Sequence, residues 1–189
     1  MTTNQFSNID PKNLTDDDVQ VLGFLLLKYF KMKGWGNPFN YNRFFEFVQA
    51  RVLGYNLTTV GGGSDGINDE GKSTEFKGTE DKGLTAKGAE KSHSFTYNGT
   101  TRKPTLDEQK EYCKEKIMRD DLHHWTIFDY ENGKLLKTLQ LTAEQVWTVL
   151  WPKWEKSWYN TGAADPRIGG SISTNELKKL GIEYKVIEH

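Results

Sequence analysis

The spacing of apolar residues changes at Tyr55, and this change constrains the fold more than any other feature of the sequence. Before Tyr55, apolar residues recur at intervals of three and four. Thr15 and Asp18 predict a capping-box-like start for a first helix that ends near Lys33. The spacing also predicts a second helix from about Asn42 to Leu53, with Phe44, Phe45, Val48 and Val52 facing inward. After Tyr55, short alternating segments are separated by glycine-rich stretches, a pattern typical of β-strands and their loops.

The rest of the chain is predicted to alternate strands with helices. The predicted strands are Asn56–Val60, Lys72–Thr79, Ser92–Tyr97, Trp125–Tyr130, Leu135–Leu141 and Glu183–Ile187; the predicted helices are Leu106–Asp120, one that begins after Thr142, and Thr174–Leu180. We expect a turn at Asn98-Gly99, a kink or a helix end at Pro152, and a loop containing Gly162, Pro166, Gly169 and Gly170. This order predicts an α/β or α+β fold, with residues 1–14 as a tail and 15–189 as one domain.

Composition narrows the functional classes. The 189 residues include one cysteine, Cys113, which excludes a disulfide within the chain and favours a reducing, cytoplasmic setting. No apolar run is long enough for a membrane span, and the polar first residues do not resemble a signal peptide. The net charge of −1 argues against a nonspecific nucleic-acid binder. Residues 91–119 nevertheless carry seven bases against four acids, which suits either a polyanion-binding side or a mixed solvated helix face.

One predicted strand carries an unusual set of charges. In Lys72–Thr79, alternation places Glu75 and Lys77 on one face, about 7 Å apart, and turns Phe76 towards the core. Asp65 lies ten residues before Glu75, at the end of a glycine-rich loop, and reaches the same place if the preceding strand is a neighbour in the sheet.

These residue types suit hydrolysis of a phosphodiester. Two carboxylates that converge repel each other unless a divalent cation lies between them, and oxygen ligands favour Mg²⁺. Asp65, Glu75 and the backbone carbonyl of Phe76 would be the ligands, and Lys77 would orient or deprotonate the attacking water. A surface strand with an ordinary ion pair explains the same residues without any chemistry. Asp69 and Glu70 are alternative carboxylates that a turn explains equally well.

The motif Asp65 … Glu75-Phe76-Lys77, within Gly63-Ser64-Asp65-Gly66 and Ser73-Thr74-Glu75-Phe76-Lys77, resembles the metal-binding signature of the PD-(D/E)xK nuclease superfamily and of type II restriction endonucleases. The resemblance covers about residues 40–130; Ser64 stands where the family usually has proline. It implies a mixed β-sheet flanked by helices, one or two Mg²⁺ ions per active site, cleavage of double-stranded DNA and a homodimer. Some members bring a helical glutamate to the metal. Glu46 is the candidate here, although an exposed helix position explains it as well.

Residues that follow the strand are candidates for contact with DNA. Lys91, Arg102 and Lys103 can meet phosphates, whereas base edges can be read by Tyr97, Asn98, Arg102 and Gln109; His93 and Arg167 complete the set. Structural explanations are expected for Cys113 and for the adjacent His123 and His124. The glycines before Asp65 lack the lysine of a phosphate-binding loop, so no nucleotide cofactor is expected.

Three functions follow as hypotheses. The first is a Mg²⁺-dependent type II restriction endonuclease that cuts double-stranded DNA at a specific short sequence. The second is a DNA repair or recombination nuclease that recognises structure rather than sequence. The third is a noncatalytic DNA-binding protein, in which the carboxylates and lysine of the strand have no chemical role.

Overall fold

The computed structural model describes residues 10–40, 42–59, 61, 63–130, 132–160 and 167–189. The sequence-based expectations for residues 1–9, Val60, Gly162 and Pro166 lie outside these ranges. The chain divides into two compact units, which are Met1–Phe44 with Thr59–Gly61, and Phe45–Thr58 with Gly62–His189. No helix in the described residues is both long enough and apolar enough to cross a bilayer.

The first unit is built around helix α1, Asp16–Met32, which follows a short 3₁₀ helix, Pro11–Asn13. Helix α1 begins with a capping box. The Thr15 side chain accepts from the Asp18 amide, and the Asp18 carboxylate accepts from the Thr15 amide, so two of the amides left open at a helix start are satisfied. Acidic residues in this first turn also complement the helix dipole.

The second unit holds all the strands. Helix α2, Arg43–Leu53, passes from the first unit into the second at Phe45. The remaining elements in chain order are β1 Tyr55–Leu57, β2 Gly66–Asn68, β3 Ser73–Glu80, β4 Ser94–Thr101, α3 Leu106–Met118, β5 Leu122–Asp129, β6 Lys134–Thr142, α4 Ala143–Tyr159, β7 Arg167–Ser173, α5 Thr174–Lys179 and β8 Lys185–Glu188.

The strands form one large mixed sheet and one small sheet. The large sheet has the order β1-β2-β3-β5-β6-β8, and the small sheet pairs β4 with β7. Strands β3 and β5 run parallel, and the other pairs of the large sheet are antiparallel. The expected mixed α/β class is therefore confirmed. Strand β3 lies inside the sheet between β2 and β5; β5 pairs with it along residues 74–80, whereas β2 pairs only with Ser73 and Thr74.

Both faces of the large sheet are covered by apolar groups. On one face, buried residues of β5 and β6 pack with those of α3, α4, β4 and β7 in one cluster that includes Trp125, Leu141, Cys113 and Trp154. On the other face, Phe76 contacts Tyr55, and Phe128 contacts Phe45 of α2, with ring centroids 5.8 and 5.0 Å apart. In α2 the buried residues are Gln49 and Ala50, whereas Phe44 and Val52, expected to face inward, are exposed.

The structure contradicts the predicted turn at Asn98-Gly99 and excludes one of the two outcomes predicted at Pro152, a helix end. Strand β4 continues through Asn98-Gly99, and a shift in its register with β7 between Tyr97 and Thr100 replaces the expected turn. Helix α4 continues to Tyr159 past Pro152, so the proline does not end it.

The expected loop at Gly169-Gly170 is instead part of strand β7. A Cβ atom at Gly170 would lie 3.1 Å from Leu150 and 3.3 Å from Trp154, both in α4. Glycine is needed there because the strand approaches the helix closely, not because the backbone turns. Composition alone does not separate these two uses of glycine.

Candidate functional site

The fold brings Asp65 to the middle of strand β3. The Asp65 amide donates to the Thr74 carbonyl at 2.9 Å, which continues the antiparallel pairing of β2 with β3. The Phe76 amide donates to Asp65 Oδ2 at 2.8 Å. Since Phe76 lies between Glu75 and Lys77, this bond fixes the Asp65 carboxyl beside both of them. The expected juxtaposition of the three side chains is present.

Glu75 is held by a cation on each of its oxygens. Lys77 Nζ donates to Glu75 Oε1, and Arg119 Nη2 donates to Glu75 Oε2 at 3.1 Å. Arg119 follows the end of α3 and also donates to Asp120, whose side chain is fully buried. Sequence reasoning counted Arg119 among the bases of residues 91–119 but missed its place in the site, because the contact spans 44 residues.

The pKa values of Asp65 and Glu75 are shifted in opposite directions. Burial, with the nearby negative charges of Glu75 and Glu46, raises the pKa of Asp65 to about 8, and Lys77 and the Phe76 amide only partly offset this. Burial also disfavours the charged form of Glu75, yet Lys77 and Arg119 outweigh it and lower the pKa of Glu75. Once Asp65 ionises, its negative charge is therefore only partly compensated by Lys77 and the Phe76 amide.

Lys77 is the ammonium group of the site. Burial acts to lower the pKa of Lys77, but Glu75, Asp65 and Glu46 together raise it above the usual value. Its Nζ atom also lies 5.2 Å from the centre of the Tyr97 ring. Glu46 thus raises the pKa of both Asp65 and Lys77 from helix α2, and its role as a metal ligand stays a prediction.

A buried hydrogen-bond network lies beside strand β3 and includes two residues of its neighbour, β5. Trp125 Nε1 donates to Tyr97 Oη at 2.8 Å, and Tyr97 Oη lies 2.9 Å from His123 Nδ1. His123 Nε2 lies 3.2 Å from the Ile117 carbonyl, which accepts only, so the proton is on Nε2 and Tyr97 donates to Nδ1. Burial lowers the pKa of His123, which keeps this arrangement neutral. His123 and Trp125 pair with Glu75 and Lys77 in the parallel register, so the network fixes the strand that carries the site.

The donor set suits a hard divalent cation. Asp65 and Glu75 supply carboxylate oxygens, and a cation between them would relieve their repulsion, which adds to burial in raising the pKa of Asp65. The Phe76 amide points towards Asp65, and the carbonyl of the same residue points to the same edge of the strand. In the part of the chain that the structure describes, no group of three or more His, Cys, Asp and Glu side chains is arranged to hold an ion.

The structure corrects three of the expected DNA contacts. His93, Tyr97 and Gln109 are buried, so none of them presents a group to a base edge. Tyr97 is bound in the network below the site. Gln109 bonds the Lys103 amide and the Thr100 hydroxyl.

His93 lies between Asp81 and the Lys82 amide, where its role is structural. These residues carry polar groups that sequence reasoning assigned to DNA, whereas the fold uses them inside the protein.

The other candidates for DNA contact have different settings. Lys91 and Arg167 are exposed. Arg102 donates to the carbonyls of Ser157 and Asn160, and Lys103 Nζ lies 4.2 Å from the Tyr112 ring centre. The Asn98 side chain is outside the described part of the structure. The alternative carboxylates Asp69 and Glu70 lie in the surface turn between β2 and β3.

No family model and no curated protein matches this chain.

Proposed function

We propose that this protein is a Mg²⁺-dependent endonuclease that cuts double-stranded DNA at a short specific sequence, with an active site of the PD-(D/E)xK type. The observation that carries the proposal is the bond from the Phe76 amide to Asp65, which gathers Asp65, Glu75 and Lys77 on one sheet. A surface strand with an ordinary ion pair does not require a second carboxyl beside it. It also does not account for a carboxyl whose pKa is raised to about 8 in this place.

Each residue has a distinct task in this proposal. Asp65, Glu75 and the Phe76 carbonyl hold the cation, with Glu46 near enough to add a further charge. When bound there, Mg²⁺ would supply Lewis-acid stabilisation of a phosphate oxygen and would lower the pKa of a bound water. The raised pKa of Lys77 keeps it as an ammonium ion, so its task is to orient the attacking water and to stabilise charge on the phosphate rather than to act as the base.

The test is digestion of a mapped phage genome with and without Mg²⁺. We expect discrete fragments only with Mg²⁺, no fragments from Lys77→Ala, and unchanged DNA binding by that variant in Ca²⁺. Lys72→Ala is the matched control, because Lys72 is exposed immediately before the same strand and pairs only weakly with Glu70 at the surface.

The other outcomes point to the rival functions. Selective cutting of branched or mismatched DNA, without discrete fragments from a plain genome, would show a nuclease of the repair or recombination type. DNA binding without any Mg²⁺-dependent cutting by the native protein would reject catalysis and leave a noncatalytic DNA-binding protein. Catalysis in a reducing, cytoplasmic setting is part of the proposal, since the single cysteine, Cys113, can form no disulfide within the chain.

A homodimer is also part of the proposal, because two active sites are needed to cut two strands of a palindromic target. Helix α1 offers a surface for it. Five exposed apolar residues lie within about 100° of the helix circumference at the usual angle per residue. We call them the α1 stripe: Val21, Leu22, Leu25, Tyr29 and Met32.

The charges of α1 favour an antiparallel second copy as the occupant of the stripe. The first turn carries Asp16, Asp17 and Asp18, and basic residues follow at Lys28, Lys31 and Lys33. Two copies related by a two-fold axis through the middle of the stripe would place the acidic end of each helix beside the basic end of the other. A parallel arrangement would place like charges together.

A further inference from the structure

Arg119 has two acidic partners at the site, Asp120 and Glu75. It donates to Asp120 Oδ2 from both Nε and Nη2, at 3.1 and 2.8 Å, and to Glu75 Oε2 from Nη2 at 3.1 Å. Asp120 is fully buried, whereas the Arg119 side chain is 37% exposed. The Asp120 side of this contact is therefore fixed inside the protein, whereas the Arg119 guanidinium is partly exposed to solvent.

The position of Arg119 is set by the backbone on both sides. It caps the end of α3, where its amide donates to the Glu115 carbonyl. A Cβ atom at Gly63 would lie 3.5 Å from Arg119 Cδ, so the side chain runs along the loop that carries Asp65. The guanidinium is thus held beside Glu75, one of the two carboxyls of the proposed cation site.

Asp120 has an unusual environment for a fully buried carboxyl. Its Oδ2 atom accepts both bonds from Arg119, and its Oδ1 atom has no hydrogen-bond partner in the described residues. Burying a charge is costly unless it is paired, so Arg119 is the group that makes Asp120 tolerable there. Such an anchor holds the guanidinium near Glu75 when its bond to Glu75 is broken.

A divalent cation that binds Glu75 competes with Arg119 for the same carboxylate oxygens. Both oxygens of Glu75 are engaged, one by Lys77 and one by Arg119, whereas a divalent cation needs at least one of them as a ligand. Of the two competitors, Arg119 is the more exposed, with 37% of its side chain accessible against 22% for Lys77. Its planar fork of donors also fits a phosphate group well.

We infer that Arg119 holds Glu75 in the cation-free protein and transfers to a phosphate of the bound nucleic acid when a divalent cation binds Glu75. Asp120 is the positioning residue that keeps Arg119 within reach of both partners. The inference rests on the proposed function, because it needs a cation and a phosphate at this site. Arg119 then couples binding of the cation to binding of the phosphate. The cation displaces Arg119 from Glu75, and a phosphate bound to Arg119 keeps it away from Glu75.

The test measures Ca²⁺ binding to the free protein by calorimetry, so that no cleavage occurs. Arg119→Ala is expected to bind Ca²⁺ about fivefold more tightly than the native protein, the factor expected from releasing a partly exposed ion pair. The same variant is expected to bind a short mixed-sequence DNA duplex more weakly in Ca²⁺, because a phosphate partner is lost. Arg51→Ala removes an exposed arginine of α2 and should change neither measurement.

The double variant Arg119→Ala/Asp120→Asn keeps the test valid if Arg119→Ala does not fold. It removes one positive and one negative charge, so it leaves no unpaired buried carboxylate and does not alter the net charge near Glu75. Tighter Ca²⁺ binding by this variant would show that Arg119 occupies Glu75 directly. Weaker or unchanged Ca²⁺ binding would overturn the inference, because Arg119 would then merely support Glu75 in its place.

Failure of the inference is distinguishable from failure of the proposed function. A native protein that cuts DNA with Mg²⁺, combined with variants that bind Ca²⁺ no more tightly, rejects only the role of Arg119. A native protein that binds no divalent cation rejects both, and the contact of Arg119 with Glu75 is then a permanent ion pair.

Discussion

The Asp65 carboxyl combines a hydrogen bond that favours its charge with surroundings that oppose it. The Phe76 amide stabilises the carboxylate, but burial and the charges of Glu75 and Glu46 outweigh that bond and raise the pKa of Asp65 to about 8. Glu75 has a lowered pKa because Lys77 and Arg119 outweigh its burial. Two carboxyls of one site therefore hold protons with very different affinity, and Asp65 is the one on which a proton competes with a cation near neutral pH.

The first prediction concerns the pH dependence of cation binding. Below about pH 8 Asp65 is protonated in the folded protein, so Ca²⁺ must displace that proton, and its affinity should increase up to about tenfold per pH unit between about pH 6 and about pH 8. Above the pKa of Asp65 the increase should stop. Calorimetric titrations across this range measure it, with Asp65→Asn as the control that binds weakly at every pH. A pH-independent affinity in the native protein would contradict the assignment of Asp65 as a ligand.

The second prediction concerns stability without a cation. A carboxyl whose pKa is raised on folding binds its proton more tightly in the native state than in the unfolded state. The free energy of unfolding therefore falls as pH rises from about 4, the unfolded pKa of Asp65, to about 8. Asp65→Asn removes this loss and can keep the bond from the Phe76 amide. It should unfold at a higher temperature than the native protein above about pH 8, with a difference that shrinks towards about pH 4. Equal melting temperatures at about pH 9 would contradict the raised pKa.

At the scale of an element, strand β3 is closely packed at Gly78. The side chains of Glu75 and Lys77 face one way, and at Gly78 the strand passes close to the ring of Phe128. A Cβ atom at Gly78 would lie 2.8 Å from that ring, which is too close for any real contact. The strand therefore depends on glycine at this position for its pairing with β5.

The third prediction follows from this close approach. Gly78→Ala should lower the free energy of unfolding by about 1–3 kcal/mol, because the Phe128 ring or the strand must shift to admit the methyl group. Gly23→Ala is the comparison, since a Cβ atom there would lie at an ordinary 3.9 Å from Phe39 and the residue is inside helix α1. It should raise the free energy of unfolding by about 0.5–1 kcal/mol. Urea unfolding measures both, and opposite signs are required.

Local patterns predicted the elements that depend on neighbouring residues. The capping boxes at Thr15 and Thr142 mark the starts of α1 and α4, and the alternation in residues 72–79 gave strand β3 with Glu75 and Lys77 on one face. These features involve residues a few positions apart, so the sequence displays them directly. The position of Asp65 was predicted only on the condition that its strand was a neighbour of β3.

Contacts between distant parts of the chain were not predictable in this way. Arg119 reaches Glu75 across 44 residues, and Gly170 is a strand residue because α4 packs against it. Polar side chains were also assigned to DNA when the fold uses them internally, as with Gln109 and Tyr97. Residue type shows that a group can form hydrogen bonds, but only the packing shows with which partner.

At the scale of the whole molecule, the α1 stripe is the surface through which the proposed homodimer would form. Leu25 is 58% exposed and Met32 is 70% exposed, in a helix whose two ends carry opposite charges. Contiguous exposed apolar residues of this kind mark interaction surfaces more often than they occur by accident. A two-fold antiparallel pairing satisfies the apolar and the charged parts of the surface together, and it requires only this chain.

The fourth prediction tests that pairing by placing a charge in the stripe. Leu25→Asp should convert a dimer into a monomer, because two aspartates would face each other near the two-fold axis in an apolar contact. Gln20→Asp adds the same charge to α1 about 140° away around the helix and should leave the dimer intact. Light scattering coupled to size-exclusion chromatography distinguishes the two states. A native protein that is monomeric at every concentration would refute the pairing, as would a Leu25→Asp variant that stays dimeric. High salt should weaken the native dimer, because the acidic and basic ends of the two helices attract each other across a solvated surface.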